Sequence, residues 1–453
     1  MQNKEFNSLI GIRESYQMPE RLMEILTSKR VEDLYKKVRG LIPDLSHDVL
    51  RDYFQAEHGD RDKMKQDYTP DCVCELVRRL SEGREDVLDI CAGTGALSIA
   101  CGAGGYHRAE EVSTRALPIL LLNFGIRGYR GEVALRDVLT GKTESIYEMQ
   151  PCGEFTRPVL KTGSVPRMWK RIVSNPPYSL KFSDVDKAAD DPRFSYGLTP
   201  SGFSDYLFVQ DALSRLDDDG TLVEVLPHGV LFRGKREEQI RKALIEENLI
   251  DAIIGLPENL FMNTGIPVLI MILKKNRSRD DVLMVDASKE FEKHGKVNVM
   301  TSEQIDRVCS AVNIRRDIDK LSHVTTLEEI RENGYNLNIP RYVDTFEPEP
   351  VPDLLDTLAQ LKAINMKIDQ TERRLIAMAT QLVGTTPESQ ELLDKSNKYY
   401  EEYLYEKSER NNASAGRDDR TSEKRKDLSG RRNADRAERD KRGGQISFDF
   451  GRG

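Results

Sequence analysis

The run Ser174-Asn175-Pro176-Pro177-Tyr178, directly after the apolar stretch RIV, combines residue types suited to one kind of chemistry. An exocyclic ring amine such as N6 of adenine is a poor nucleophile, because its lone pair is delocalised into the ring. The side-chain carbonyl of Asn175 and the backbone carbonyl of Pro176 can each accept one N–H of such an amine. That draws the nitrogen toward a pyramidal form and stabilises the positive charge that develops on it. Two consecutive prolines restrict the backbone and keep these acceptors aimed. Tyr178 offers a ring face for a base rotated out of a duplex. Asparagine has no titratable acid, so the group works by charge stabilisation rather than as a general base.

Two further features supply a second ligand. Asp89-Ile90-Cys91-Ala92-Gly93-Thr94-Gly95 lies between a predicted strand and a predicted helix, and its glycines let the backbone approach a nucleotide-like ligand closely. A lone Gly-x-Gly is as often an ordinary tight turn. Glu111 ends the next predicted strand, about 20 residues past the loop, where a carboxylate accepts hydrogen bonds from both hydroxyls of a ribose. Alone it reads as a solvated loop acid; paired with the glycine loop it reads as a ligand. The run from Gly229 to Lys235 imitates a phosphate-binding loop, but Arg236 stands where a Ser or Thr would hold magnesium, so no ATPase is expected. The six cysteines are scattered without a Cys-x-x-Cys pair, so no metal site is expected.

The elements that must hold these residues are legible as hydrophobic patterns. From about Asp86 to Leu273, short apolar runs (DVLDICA, AEEV, EVALRDV, RIVSNPP, GTLVEVLP, LIDAIIGLP, VLIMILKK) alternate with helical stretches, which predicts a doubly wound α/β sheet. Residues 1 to about 65 read as helices. In MPERLMEILTSKRVEDLYKKVRGLI, Leu22, Ile25, Leu26, Leu34, Val38 and Leu41 recur at helical spacing, and Pro43 ends the run. A second helix is expected from about Ser46 to Ala56, and Thr69 as N-cap with Pro70 in first position opens another. The polar section from Tyr147 to Lys170 reads as a surface insertion, and the section from Asp281 to Tyr342 as mixed. Leu361, Ile364, Ile368, Thr371, Leu375, Met378 and Leu382 then alternate in steps of three and four. Such a coiled-coil seam packs on a partner or folds back on the helix that follows, from Pro387 to about Glu409. Beyond that the chain is charged, nearly free of apolar residues up to Ile446, and expected to be disordered.

Composition narrows the class. With 38% apolar residues the 453-residue chain can bury a sizeable core, and it has no apolar run long enough to span a bilayer. Its N-terminus lacks the charged-then-apolar pattern of a leader, so a cytoplasmic protein is expected. The net charge of −8 argues against a protein that grips nucleic acid alone. From Lys407 to Arg442 there are 13 basic and 8 acidic residues, which leaves the rest of the chain at −13. A body this acidic acting on DNA would gain from a partner that supplies phosphate contacts.

Motif by motif the chain resembles the modification subunit of type I restriction–modification systems, within the wider N6-adenine DNA methyltransferases. The resemblance is carried by Tyr68-Thr69-Pro70, the DICAGTG loop, Glu111 followed by Asn123, Asp137-Val-Leu, SNPPY and the block from Tyr206 to Lys275 with its LPHGVLFRG, IRKALIE, LPENLF and TGIP elements. YNLNIPRYVDTF closes it. The match spans roughly residues 47 to 346. It implies a class I (Rossmann-like) methyltransferase domain with a mixed, mostly parallel sheet, a small N-terminal helical region (1–66), a catalytic domain (67–346), C-terminal helices (347–408) forming a hairpin, and a disordered tail (409–453). It implies S-adenosyl-L-methionine as cofactor and N6 of a flipped adenine in double-stranded DNA as target. Thr69 and Pro70, beside Tyr68, would contact the methionine end. Asp89, Cys91, Gly93 and Gly95 would line the cofactor, Glu111 would hold the ribose, and Asp137 would face the cofactor adenine. Asn175, Pro176, Pro177 and Tyr178 would form the catalytic loop. Phe232 and Phe261 are weaker candidates for the wall of the target-base pocket, with a core role favoured for both.

The implied partners are a specificity subunit docked on the helical seam and, in systems that have one, a restriction subunit. The terminal Gln445-Ile-Ser-Phe-Asp-Phe450 resembles the peptides that bind the bacterial sliding clamp. Three features depart from the family pattern. Ile90 replaces the usual proline, Ala96 replaces a further glycine, and the N-terminal helical region is short. Two other readings stand beside this one. Enzymes that methylate N5 of glutamine in proteins also carry NPPY, but they are smaller and lack the block from Leu226 to Pro267. A catalytically idle assembly partner is the other, and the intact SNPPY argues against it.

Overall fold

The computed structural model describes residues 3–42, 44–57, 68–81, 86–102, 104–262, 265–345, 353–407 and 409. Strand β1 (Val87–Ile90) is buried along its whole length, as a strand covered on both faces must be. Two parallel neighbours flank it, β2 (Tyr106–Glu111) and β6 (Trp169–Ser174). Outward from β2 lie β3 (Arg130–Arg136), β4 (Thr143–Cys152) and β5 (Phe155–Lys161). Outward from β6 lie β7 (Leu216–Pro227), β9 (Val268–Lys274), β8 (Ile250–Gly255), β10 (Val282–Asp286) and β13 (Ser322–Thr325). A separate ribbon pairs β11 (Glu292–His294) with β12 (Val297–Val299). Strand order reverses between β1 and β6, and in open α/β sheets the crevice at such a point takes the ligand.

The sheet is mixed: parallel pairing runs through its centre and returns in the outer pair β8–β10, with antiparallel pairs between and beyond. Strands β3-β2-β1-β6-β7 are parallel, whereas the pairs β3–β4, β4–β5, β7–β9, β9–β8 and β10–β13 are antiparallel. Part of the antiparallel pairing is the expected surface insertion, which is ordered as the β4–β5 hairpin. Its Met149 and Phe155 are buried, and it adds two strands to the sheet edge.

Helices α1 (Asn3–Ile10), α2 (Met18–Leu26), α3 (Val31–Leu41) and α4 (Arg51–Glu57) precede the sheet. The long N-terminal apolar pattern breaks into α2 and α3 at residues 27–30, where Thr27 and Ser28 hydroxyls bond back to Met23 and Ile25 carbonyls. The second expected helix begins only at Arg51, because the Asp48 carboxylate takes the Leu50 and Arg51 N–H groups in a turn. The next helix, α5 (Asp71–Leu80), is capped by Pro70 with extended backbone, one residue later than expected, which frees Thr69 for another contact. Then follow α6 (Ala96–Ala100), α7 (Leu117–Arg127), α8 (Asp205–Ser214), α9 (Arg236–Glu246), α10 (Ser302–Ile314) and α11 (Leu327–Glu332).

Phe6, Met18, Leu22, Tyr35 and Phe54 of the N-terminal helices share one apolar cluster with Leu120, Phe124, Val133 and Phe155. The N-terminal region is thus packed into the same compact unit as the sheet, which covers residues 1–347. The second unit, 348–453, holds α12 (Leu354–Ala379) and a helical stretch over 387–407. Lys407 pairs with Asp369 (2.8 Å) and Glu372, so the two helical stretches touch. The seam residues Leu361, Ile364, Ile368, Leu375 and Met378 nevertheless stay exposed, and Leu382 lies past the helix end. The expected disordered tail and its QISFDF peptide lie outside the described residues apart from Glu409. No helix among the described residues is long and apolar enough to cross a membrane.

Candidate active site

At the carboxyl ends of β1, β2, β3 and β6 lies a cavity of about 270 Å³. Its wall includes Tyr68, Thr69, Cys91, Gly93, Glu111, Asp137 and all four residues from Asn175 to Tyr178. One cavity therefore gathers most of the residues that sequence reasoning singled out.

The glycine loop is built by backbone geometry. Gly93 and Gly95 have φ of +58° and +99°, conformations L side chains rarely adopt, and a methyl group on Gly95 would lie 2.8 Å from Leu120 Cδ1. Cys91 holds φ +61° without being glycine, and burial pushes its thiol well above the usual range. Glu111 is buried; one carboxylate oxygen accepts Gly93 N–H (2.8 Å) and the other Ser113 N–H (2.7 Å). Burial raises its pKa, and these backbone bonds oppose the rise. Asp137 accepts Leu139 N–H at 3.0 Å and lies beside the apolar end formed by Val138, Leu139, Phe182 and Phe208.

Three expected residues stand off the wall. Asp89 is fully buried behind the loop, where one oxygen accepts the Ser98 N–H (2.9 Å) and hydroxyl (2.6 Å), tying α6 to β1. Desolvation pushes its carboxyl up to about 7. Gly95 shapes the loop, and Pro70 caps α5. Asp89, Gly95 and Pro70, expected at the cofactor, are not part of this cavity wall.

The target side is fixed by side chains. Asn175 Nδ2 donates to Thr69 Oγ1 (2.9 Å), and the Tyr178 hydroxyl donates to Asn175 Oδ1 (2.6 Å). Tyr178 packs edge-on against Phe261, with ring centroids 6.0 Å apart. Phe261 is a core residue, whereas Phe232 is 49% exposed.

Sequence reasoning missed the struts behind the loop. Asp48 is buried, and one of its oxygens accepts the Thr94 hydroxyl at 2.5 Å. Its other oxygen accepts Asn123 Nδ2 at 2.9 Å, and Asn123 also bonds the Thr94 carbonyl. Arg51 donates to the Thr69 carbonyl (2.8 Å) and pairs with Asp71 (2.7 Å). The N-terminal segment thereby braces both the glycine loop and Thr69. Asp48 sits in a stretch that reads as helix, which concealed it. Among the described residues no group of His, Cys, Asp and Glu is arranged to hold a metal.

Parallel strands whose order reverses between β1 and β6, a glycine loop after β1 and an acid at the end of β2 define the class I methyltransferase fold. The match of residues 47–350 to the N-6 DNA methylase model goes further: the chain belongs to that family. It is similar to the methyltransferase subunit of a type I restriction–modification system from Streptococcus thermophilus, whose solved structure superimposes with a TM-score of 0.57 at 34% identity, over 76% of this chain and 77% of that one. It is 33% identical to the type I restriction enzyme MjaVII methylase subunit of Methanocaldococcus jannaschii, over 66% of this chain and 53% of the relative. It is 27% identical to the MpnII methylase subunit of Mycoplasma pneumoniae, over 67% of this chain and 56% of the relative. The chain thus spans about half the length of the curated relatives it matches.

Proposed function

We propose that this chain transfers a methyl group from S-adenosyl-L-methionine to N6 of an adenine rotated out of double-stranded DNA, as the modification subunit that works with a separate specificity subunit. One observation carries this reading: the Asn175 amide, held by Thr69 and Tyr178, shares a cavity wall with Gly93, Glu111 and Asp137.

The residues fit the cofactor's chemistry. When bound, it supplies an electrophilic methyl on a positively charged sulfur. The Glu111 oxygens each hold one backbone N–H and keep lone pairs for the two hydroxyls of a ribose. Asp137 offers an acceptor for a purine amine beside an apolar slot. Thr69 and Tyr68 bound the opposite end. On the target side, the Asn175 side-chain carbonyl, which accepts the Tyr178 hydroxyl, would accept one N6–H. The Pro176 carbonyl takes the other N6–H. As charge develops on N6, both acceptors strengthen their hold, which lowers the barrier. The nitrogen bonds the methyl carbon as the carbon–sulfur bond breaks with its electron pair remaining on sulfur, and the surplus proton leaves to water.

The exposed seam on α12 is the proposed docking face for the specificity subunit, and the terminal QISFDF peptide is the proposed contact with the sliding clamp. A restriction subunit would join in a complete system, and the site of action is the cytoplasm. Loss of co-purification on Leu361→Glu with Ile368→Glu tests the seam; unchanged clamp capture after deletion of Gln445 to Phe450 would remove that contact. The activity itself is tested by single-molecule long-read sequencing of DNA from cells expressing this gene with its neighbouring genes, beside an Asn175→Ala control. N6-methyladenine at one split motif, absent from the control, is the expected result. Its absence from both turns the reading toward protein glutamine methylation or an idle assembly partner.

A further inference from the structure

Ser179, the residue after Tyr178, has φ +51°, a left-handed conformation that serine adopts at an energetic cost. Two residues from distant elements hold it there. Asp205, fully buried at the start of α8, accepts the Ser179 N–H with one oxygen at 2.8 Å. Arg233, in the segment between β7 and α9, donates Nη2 to Ser179 Oγ (3.1 Å) and Nη1 to the other Asp205 oxygen (2.7 Å). Glu237 takes a second bond from Nη1 at 3.2 Å, and the guanidinium lies 4.2 Å from the centre of the Phe203 ring. The fork of an arginine suits this task, because its planar donors reach a carboxylate and a hydroxyl at once. Gly229 completes the arrangement: a methyl group there would sit 2.4 Å from the guanidinium nitrogens, so the arginine crosses the space glycine leaves open.

None of Ser179, Asp205 and Arg233 lines the cavity. Their contacts end one residue from Tyr178 and four from Asn175. We propose that Arg233 is a positioning residue: through Asp205 and Ser179 it locks the turn that closes the catalytic loop and so fixes where Asn175 and Tyr178 stand relative to the incoming base. The inference rests on the methyltransferase reading, and it assigns a task to the Gly-x-x-x-Arg pattern of the LPHGVLFRG segment. A displacement of about 1 Å at a reacting group costs on the order of 100-fold in rate, so the latch acts on turnover rather than on binding.

The test uses the full chain purified with its specificity partner and compares wild type, Arg233→Lys, Arg233→Ala and Gly229→Ala. Thermal melting checks folding, calorimetry measures cofactor affinity, and steady-state methylation separates kcat from KM for DNA. Gly229→Ala displaces the flexible end of Arg233 while leaving every charge in place, so it decides the question if Arg233→Ala fails to fold. The expected result is kcat lower by about 100-fold in Arg233→Ala and Gly229→Ala, and by about 10-fold in Arg233→Lys, which can reach Asp205 but not Ser179 together with it. Cofactor affinity and KM for DNA should stay within about threefold. A folded Arg233→Ala or Gly229→Ala complex with wild-type kcat overturns the latch, and so does a fall in cofactor affinity as large as the fall in kcat. A wild-type complex that methylates no adenine overturns the underlying enzymatic reading, and the latch with it.

Discussion

The two walls of the cavity are built by different means. On the cofactor wall, the groups that would meet ligand are backbone or short buried side chains, braced from behind. Glu111 is held by two N–H groups, and the glycine loop is tied through Thr94 to Asp48 and Asn123. On the target wall, Asn175 and Tyr178 hold one another, and exposed apolar side chains lie outside the cavity lining. Phe203, Phe232 and Met262 are 38%, 49% and 67% exposed. A wall finished from within binds a ligand without help. Under the proposed chemistry, such exposed aromatic and thioether surface would meet DNA.

If the walls are independent, changes on one leave the other intact. Asn175→Ala should lower kcat by about 100- to 1,000-fold, the range for removing one preorganised charge-stabilising group. Cofactor affinity measured by calorimetry should change little. Equal losses in both would break the division between the walls. Glu111→Ala should weaken cofactor binding by about 10- to 100-fold, because hydrogen bonds to a charged group contribute roughly 1.5–3 kcal/mol. Its kcat at saturating cofactor should fall far less. Gly95→Ala tests whether the cofactor wall is as rigid as its packing implies. The new methyl meets Leu120 Cδ1 at 2.8 Å with φ at +99°, so a stability loss of about 1–3 kcal/mol is expected in denaturant unfolding. An unchanged midpoint would mean that the loop relaxes.

A further effect concerns pH. Asp89 has its pKa raised by burial, from 3.8 to about 7. The folded state therefore keeps a proton that the unfolded chain releases between those values. Stability is gained as pH falls through 7 and the gain is complete near 4, the reverse of a salt-bridged acid. Melting temperatures of wild type and Asp89→Asn should converge as pH is lowered from 8 to 5, with the variant relatively more stable at pH 8. Parallel curves would show that the carboxyl is ionised in place.

How much of this was legible beforehand depended on the range of the interaction. The seven strand-forming runs between Asp86 and Leu273 appear as β1, β2, β3, β6, β7, β8 and β9; burial on both faces favours apolar runs, and β2 (YHRAEE) instead buries Arg108 and Glu110 as an ion pair. The β4–β5 hairpin was hidden because its strands are only partly buried and their polar residues, with Pro151 and Pro158, mimic a loop. The start of α5 was misplaced by one residue because the Thr69 hydroxyl bonds Asn175 rather than capping the helix.

What the amino-acid sequence determined alone was the inventory: the order of apolar runs, the glycines after β1, the acid ending β2 and the Asn-Pro-Pro-Tyr turn. Each is a local pattern, written in residue type and short spacing. Tertiary structure alone decided which residues brace that inventory. Asp48 meets Thr94 and Asn123, and Arg233 reaches Ser179 across 54 residues of chain. Such bonds depend on strand register and on which helix face packs where. Their distances are a property of the assembled sheet, and no periodicity in the chain encodes them.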